Sequence, residues 1–273
     1  MPTPLQALKR FGIIPKRRRG QNFLIDKNIA LKIITRADPQ PLETVVEIGS
    51  GSGVLTEQLV KTAGKVYAIE IDKELIPALC DLQENHENME IIQQDIRAIP
   101  NTLFGADFSY RVIANIPYNI TSLLIRKFLE EEPRPSDMIL MVQLEVAKRM
   151  CAEPPRMNLL AAMTQYYAKP RLLFKVSRSC FYPKPKVDSA VVRIELDRGR
   201  NPKSEHAKRY TAWVKAGYCS PRKLLASNLS KGLDIPREYI RTAFDGCGIR
   251  PESRAQELSV EAWKCLIHEA LDP

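Results

Sequence analysis

The chain has 273 residues, 44% hydrophobic and 27% charged, which suits a globular protein with one large core and a small second domain. Lysine and arginine number 41 against 32 acidic residues, so the net charge of +9 favours a polyanionic partner, nucleic acid or an acidic membrane surface. Apolar runs such as Met138 to Val142 are too short to span a bilayer, and the start lacks the apolar centre of a secretion signal, so a cytoplasmic protein with no membrane role is expected.

The chain opens on a basic run, Lys16, Arg17, Arg18 and Arg19, which leads into Gly20-Gln21-Asn22-Phe23-Leu24. From Thr44 to Gln143, β-rich runs alternate with amphipathic helical stretches. The predicted strands are Thr44–Gly49, Lys65–Asp72, Met89–Asp95, Tyr110–Asn115 and Asp137–Val142, each bounded by Gly, Pro, Asn or Asp. Between the last two, Ser122–Glu130 places Leu124, Ile125, Phe128 and Leu129 on one helical face. Such alternation implies an α/β fold, a parallel sheet with helices on both faces. Beyond Met150 come a helix near Leu159–Ala168 and two strands, Arg171–Val176 and Ser189–Leu196, joined by Phe181-Tyr182-Pro183-Lys184-Pro185-Lys186. They suit an antiparallel edge on the parallel sheet. Asp197–Lys203 reads as a linker, and the remainder is helical: Trp263, Leu266, Ile267 and Ala270 share one face. The expected domains are therefore residues 1–198 and a helical domain of 199–273.

Cys80, Cys151, Cys180, Cys219, Cys247 and Cys265 form no C-x-x-C pair, which predicts reduced, mostly packed thiols rather than disulfides or a zinc site. His86, His206 and His268 have no ligand or triad spacing, so no metal is expected.

The first strand runs into Glu47-Ile48-Gly49-Ser50-Gly51-Ser52-Gly53, a turn whose glycines let backbone approach a ligand. Glu70, at the tip of the second strand, lies 19 residues after Gly51 and suits the two hydroxyls of a ribose. Asp95, ending the third, can accept from an adenine amine while Ile96 packs on the ring. Carboxyl ends of neighbouring parallel strands line one crevice, so these groups converge. A dinucleotide site expects G-x-G-x-x-G, with a phosphate on the helix N-terminus. The spacing here is G-x-G-x-G after an acid, similar to the first motif of class I methyltransferases, whose cofactor, S-adenosyl-L-methionine, has no phosphate.

The fourth strand ends in Asn115-Ile116-Pro117-Tyr118. Methylating an adenine amine requires localising a lone pair that the ring withdraws, and acceptors aimed at the N–H groups would do this. Asn115 offers a side-chain oxygen, Pro117 biases Ile116 towards an extended backbone that can present its carbonyl, and Tyr118 offers a stacking face.

On these motifs the chain resembles the ribosomal RNA adenine dimethyltransferases, specifically the KsgA type that acts on small-subunit rRNA. The resemblance continues through Gln143-Leu144-Glu145-Val146-Ala147, the proline loop to Ser189, Pro221-Arg222-Lys223-Leu224 and Arg254-Ala255-Gln256-Glu257-Leu258-Ser259. It implies a class I (Rossmann-like) methyltransferase sheet. It also implies that Asn22, Leu24, Gly49, Gly51, Glu70, Ile71, Asp95, Ile96 and Asn115 hold S-adenosyl-L-methionine. Asn115 to Tyr118, with Phe181, would hold the target adenine. Lys16 to Arg19, Lys184, Lys186, Arg222 and Lys223 are the expected RNA contacts. The implied activity is dimethylation of two adjacent adenosines near the 3′ end of 16S rRNA, by a monomer acting on the immature 30S subunit. Rival readings are a 23S rRNA adenine methyltransferase and a non-catalytic ribosome-assembly factor. Departures from the family pattern are Ser50 where proline is common, a segment missing near Pro155–Leu159, and Ser220-Pro221-Arg222-Lys223 for Gln-Arg-Arg-Lys.

Overall fold

The computed structural model describes residues 4–16 and 20–270. The chain begins with α1 (Pro4–Arg10), β1 (Phe23–Leu24) and α2 (Lys27–Ala37). Then come β2 (Thr44–Ile48), α3 (Thr56–Leu59), β3 (Lys65–Ile69), α4 (Ile76–Gln83), β4 (Met89–Ile92) and β5 (Tyr110–Asn115). After α5 (Thr121–Glu130) and β6 (Asp137–Gln143) follow α6 (Leu144–Met150), α7 (Leu159–Tyr167), β7 (Ala168–Val176), β8 (Phe181–Tyr182) and β9 (Ser189–Leu196). Four helices close the chain: α8 (Glu205–Gly217), α9 (Leu225–Leu233), α10 (Arg237–Gly246) and α11 (Val260–Glu269).

Seven strands form one sheet in the order β4-β3-β2-β5-β6-β9-β7. The neighbours from β4 to β6 are parallel and β9 runs antiparallel to β6, as the sequence predicts. Strands such as Val112-Ile113-Ala114 and Ile139-Leu140-Met141 are apolar without alternation because both sheet faces are covered. The strand order reverses between β2 and β5, and a crevice opens at such a switch point beyond the carboxyl ends. At the opposite end, buried Arg111 on β5 forks onto Asp137 of β6 (Nε–Oδ1 2.6 Å, Nη2–Oδ2 2.9 Å). It also reaches Glu43 and the carbonyl of Ala37, so one guanidinium ties β5 and β6 to the end of α2. The start of α2 is capped by Asp26, whose Oδ1 accepts from the backbone N–H of Asn28 at 2.9 Å.

The chain divides into two compact units. Of the described residues, one comprises 4–16, 20–147 and Arg171–Leu196, and the other Lys148–Pro170 and 197–270. Residues 148–170 thus group with the helices rather than with the sheet, and the last crossing between the units falls between Leu196 and Asp197. The reason is aromatic packing: Tyr166 of α7 stacks on Tyr210 of α8 at 3.9 Å, and the Tyr210 hydroxyl donates to Ala162 O at 3.1 Å. The second unit also corrects the expectation of six reduced cysteines. Cys247, at the end of α10, is disulfide-bonded to Cys265 in α11, with Cα atoms 5.9 Å apart. Packing of the two helices brings together residues 18 apart that share no spacing motif.

Candidate functional site

A cavity of about 300 Å³ opens at the carboxyl ends of β2, β3 and β5 and beside the loop after β4. That is the lower end of the range for small-molecule sites. Its floor is the turn after β2. Gly49 and Ser50 both donate backbone N–H to Ile69 O (2.8 and 3.2 Å), the second being a bond that proline could not make. Gly49 and Gly51 have φ of +70° and +58°, and a Cβ on Gly51 would sit 3.2 Å from the Phe23 ring. Only glycine permits this turn with the chain so close above it.

Two carboxylates line the cavity. Glu70 accepts from Gly51 N (2.9 Å) through Oε2 and from Asp72 N (2.8 Å) through Oε1, so it braces the glycine turn. Burial raises its pKa, against the pull of these N–H groups. Beside it Ile71, 53% exposed, presents apolar surface to the cavity, and Ile96 lines it further along. Asp95 is held by Arg97, whose Nε lies 3.0 and 2.9 Å from its two oxygens, and that pairing lowers its pKa. Below the turn, Glu47 is fully buried and accepts from the Thr56 hydroxyl at 2.5 Å. Burial pushes its pKa up to about 8 despite that bond.

The far wall is Asn115 to Ile120. Asn115 donates through Nδ2 to Asn22 O at 3.4 Å, and its Oδ1 accepts from none of the described residues. Ile116 donates its N–H to Met141 O (3.2 Å), while no N–H of the described residues is directed at its own carbonyl. Pro117, at φ −54° and ψ 130°, turns the chain into a short 3-10 turn, Tyr118–Ile120. The Tyr118 hydroxyl is 2.8 Å from Ser189 Oγ, and burial raises its pKa.

The cavity wall thus gathers Asn22, Gly49, Gly51, Glu70, Ile71, Asp95, Ile96, Asn115, Ile116, Pro117 and Tyr118 of the residues expected from sequence. Leu24 and Phe181 are not on it. They face each other across a two-stranded antiparallel ladder, β1 with β8, and are 4% and 3% exposed within the core. Their pairing joins the segment after Asn22 to the start of the proline loop. Lys16 Nζ pairs with Glu74 (2.8 Å) and Asp72 (3.0 Å), and both raise its pKa. Gln21 joins by accepting from Lys16 N and donating to Asp72 Oδ2. Lys16 therefore anchors the chain just before the cavity. Arg17, Arg18 and Arg19 lie outside the described residues. Lys184 and Lys186 are exposed on the loop after β8, and Arg222 and Lys223 are exposed in the second unit. Sequence reasoning missed Arg97 and Ser189, whose only signals are proximity to Asp95 and the last place in the proline-loop motif. It also missed the burial of Glu47, which its apolar neighbours Val45, Val46 and Ile48 foreshadow. Among the described residues no His, Cys, Asp and Glu group is arranged to hold a metal, and no helix is long and apolar enough to cross a membrane.

Comparison with known proteins gives a consistent result. Ribosomal RNA small subunit methyltransferase A of Dehalococcoides mccartyi is 37% identical over 98% of this chain and 93% of its own. The protein of that name in Pelotomaculum thermopropionicum is 38% identical over 98% and 95%. Among solved structures, the 23S rRNA methyltransferase ErmE superposes with a TM-score of 0.76 at 27% identity, covering 92% of this chain and 100% of its own. A dimethyladenosine transferase from Plasmodium falciparum also gives 0.76, at 26% identity over 88% and 94%. Residues 15–271 match the ribosomal RNA adenine dimethylase family, and with Gly49, Gly51, Glu70, Asp95 and Asn115–Tyr118 lining one cavity, the chain belongs to that family.

Proposed function

We propose that this protein transfers methyl groups from S-adenosyl-L-methionine to the exocyclic amine of two adjacent adenosines near the 3′ end of 16S rRNA, in the immature 30S subunit, yielding N6,N6-dimethyladenosine. The observation that carries this reading is the convergence of the glycine turn, two carboxylates and the Asn115–Tyr118 segment on a single cavity. The named relatives, similar over nearly the full length, support the small subunit as the target.

The residues fit the cofactor. Glu70 Oε2 takes the Gly51 N–H and Oε1 the Asp72 N–H, and since a carboxylate has about four acceptor positions, capacity remains for ribose hydroxyls. Asp95 would accept from the adenine amine once part of the Arg97 fork gives way, with Ile71 and Ile96 as apolar surface for the ring, and the glycine turn admits a ligand where a Cβ would obstruct. When bound, the cofactor supplies an electrophilic methyl group.

The chain's own work falls to the far wall. Asn115 Oδ1 and Ile116 O, both unclaimed by the described residues, accept from the two N–H groups of the target amine. That holds the amine lone pair out of conjugation and stabilises charge arising on nitrogen. Because Asn115 Nδ2 is already committed to Asn22 O, the amide presents oxygen rather than nitrogen to the base. Tyr118 offers its ring for stacking. Once methylated, the amine is a strong acid and loses its proton without a dedicated base.

The test is incubation of the protein with undermethylated small subunits and isotope-labelled S-adenosyl-L-methionine, followed by nucleoside mass spectrometry. Dimethyladenosine, with monomethyladenosine as an intermediate, is expected. Large subunits form the control arm, and transfer to them alone would overturn the assigned target.

A further inference from the structure

Tyr118 stands in an unusual position for a packed aromatic residue. Tyr118 lines the cavity and is only partly buried, so packing alone does not enclose its side chain. Its hydroxyl lies 2.8 Å from Ser189 Oγ. Ser189 is fully buried at the start of β9, opposite Gln143 of β6, and its hydroxyl meets no other described partner. The backbone beneath it is pinned twice: Asp188 O accepts from Leu144 N (3.0 Å), and Asp188 Oδ1 accepts from Arg178 N (3.0 Å). The tether therefore runs from a half-buried ring to a fixed point of the sheet.

A ring held only by packing on one face rocks about its side-chain torsions. A base stacked on it must stop that motion at an entropic cost. A hydroxyl tether removes the motion before the base arrives, and orientation of this kind acts on the rate of a step whose reacting atoms must align. From the distance, the burial of Ser189 and the partly buried place of Tyr118 on the cavity wall, we infer that Ser189 is a positioning residue for methyl transfer, fixing the Tyr118 ring so that the target adenine stacks in line with Asn115. This account rests on the methyltransferase reading above and explains why the wall carries tyrosine where phenylalanine would supply the same stacking face.

The experiment compares the unmodified protein with Ser189→Ala, Tyr118→Phe and the double variant, on undermethylated small subunits at saturating S-adenosyl-L-methionine. Losing one buried hydrogen bond should lower kcat by roughly five- to tenfold in each single variant. KM for the subunit should change less than about twofold, because phosphate contacts carry most RNA affinity. Calorimetric affinity for S-adenosyl-L-methionine should be unchanged. The double variant should lose no more than either single one, since both remove the same bond. Tyr118→Phe deletes only a hydroxyl, so it tests the tether even if Ser189→Ala fails to fold. Wild-type kcat in Tyr118→Phe, or losses that multiply in the double variant, would overturn the inference while leaving methyl transfer in place. No transfer by the unmodified protein would overturn the underlying reading and this inference with it.

Discussion

Arg97 occupies the carboxylate of Asp95. Its backbone N–H and Nε reach Oδ1, and Nε and Nη2 reach Oδ2, so the acceptor positions of both oxygens are in use. An adenine amine arriving at Asp95 must displace part of this fork. Exposed pairs of this kind are worth up to about 1 kcal/mol. Arg97→Ala should accordingly tighten S-adenosyl-L-methionine binding by up to about fivefold, measured by calorimetry. Weaker binding in the variant would show that Arg97 contacts the cofactor instead of competing with it.

Asn115 contributes an acceptor to charge that develops only during transfer. Asn115→Ala should slow methylation by about a hundredfold or more. Because the variant also frees Asn22 O, cofactor affinity should fall slightly, and far less than the rate. A rate within threefold of wild type in a single-turnover assay contradicts the proposed role.

Glu47 links stability to pH. Its folded pKa of about 8 stands above the ordinary 4.5, so the folded protein holds a proton that the unfolded chain releases. The stability this group contributes is complete below pH 4.5 and is lost as pH rises towards 8. Glu47→Gln keeps an acceptor for Thr56 and removes the titration. The variant's melting temperature should rise relative to wild type between pH 5 and pH 8 and level off above. A difference that is flat over this range would mean that Glu47 is ionised in the fold.

The Cys247–Cys265 pair makes a countable prediction. Unfolded without reductant, the chain should titrate four thiols, from Cys80, Cys151, Cys180 and Cys219, and six after reduction. Reduction should also destabilise the second unit, by about 3 kcal/mol for a loop of this size. Six thiols before reduction would show the pair to be open in solution.

Much of the sheet is legible in the sequence because its strands are short apolar runs between turn residues. The spans of β5 and β9 agree with expectation to the residue. β3 ends at Ile69 rather than Asp72 because the Glu70 carboxylate draws in the N–H groups of Gly51 and Asp72, bending the strand end into the cavity. The cavity wall is legible for a related reason: its residues sit at strand ends, where the order of strands dictates convergence. What the sequence conceals depends on contacts between distant segments. Lys16 reads as one more charge in a basic run until Asp72 and Glu74 are seen beside it. The burial of Phe181 against the core is likewise not written in the loop motif that carries it. The departure of residues 148–170 from the sheet unit depends on Tyr166 meeting Tyr210, which no local periodicity encodes.

The ladder between β1 and β8 is only two residues long, pairing Phe23 with Tyr182 and Leu24 with Phe181. Neighbouring residues on a strand point to opposite faces, and here Phe181 is buried while Tyr182 is 45% exposed. Adding or deleting one residue between Ser177 and Phe181 would exchange the two and expel an aromatic ring from the core. Across Pro183–Val187, a partly exposed stretch downstream of the ladder, the same change leaves the register of the ladder itself untouched. Insertions and deletions should thus be tolerated on one side of Tyr182 and rejected on the other, although both stretches lie in what reads as a single connecting loop.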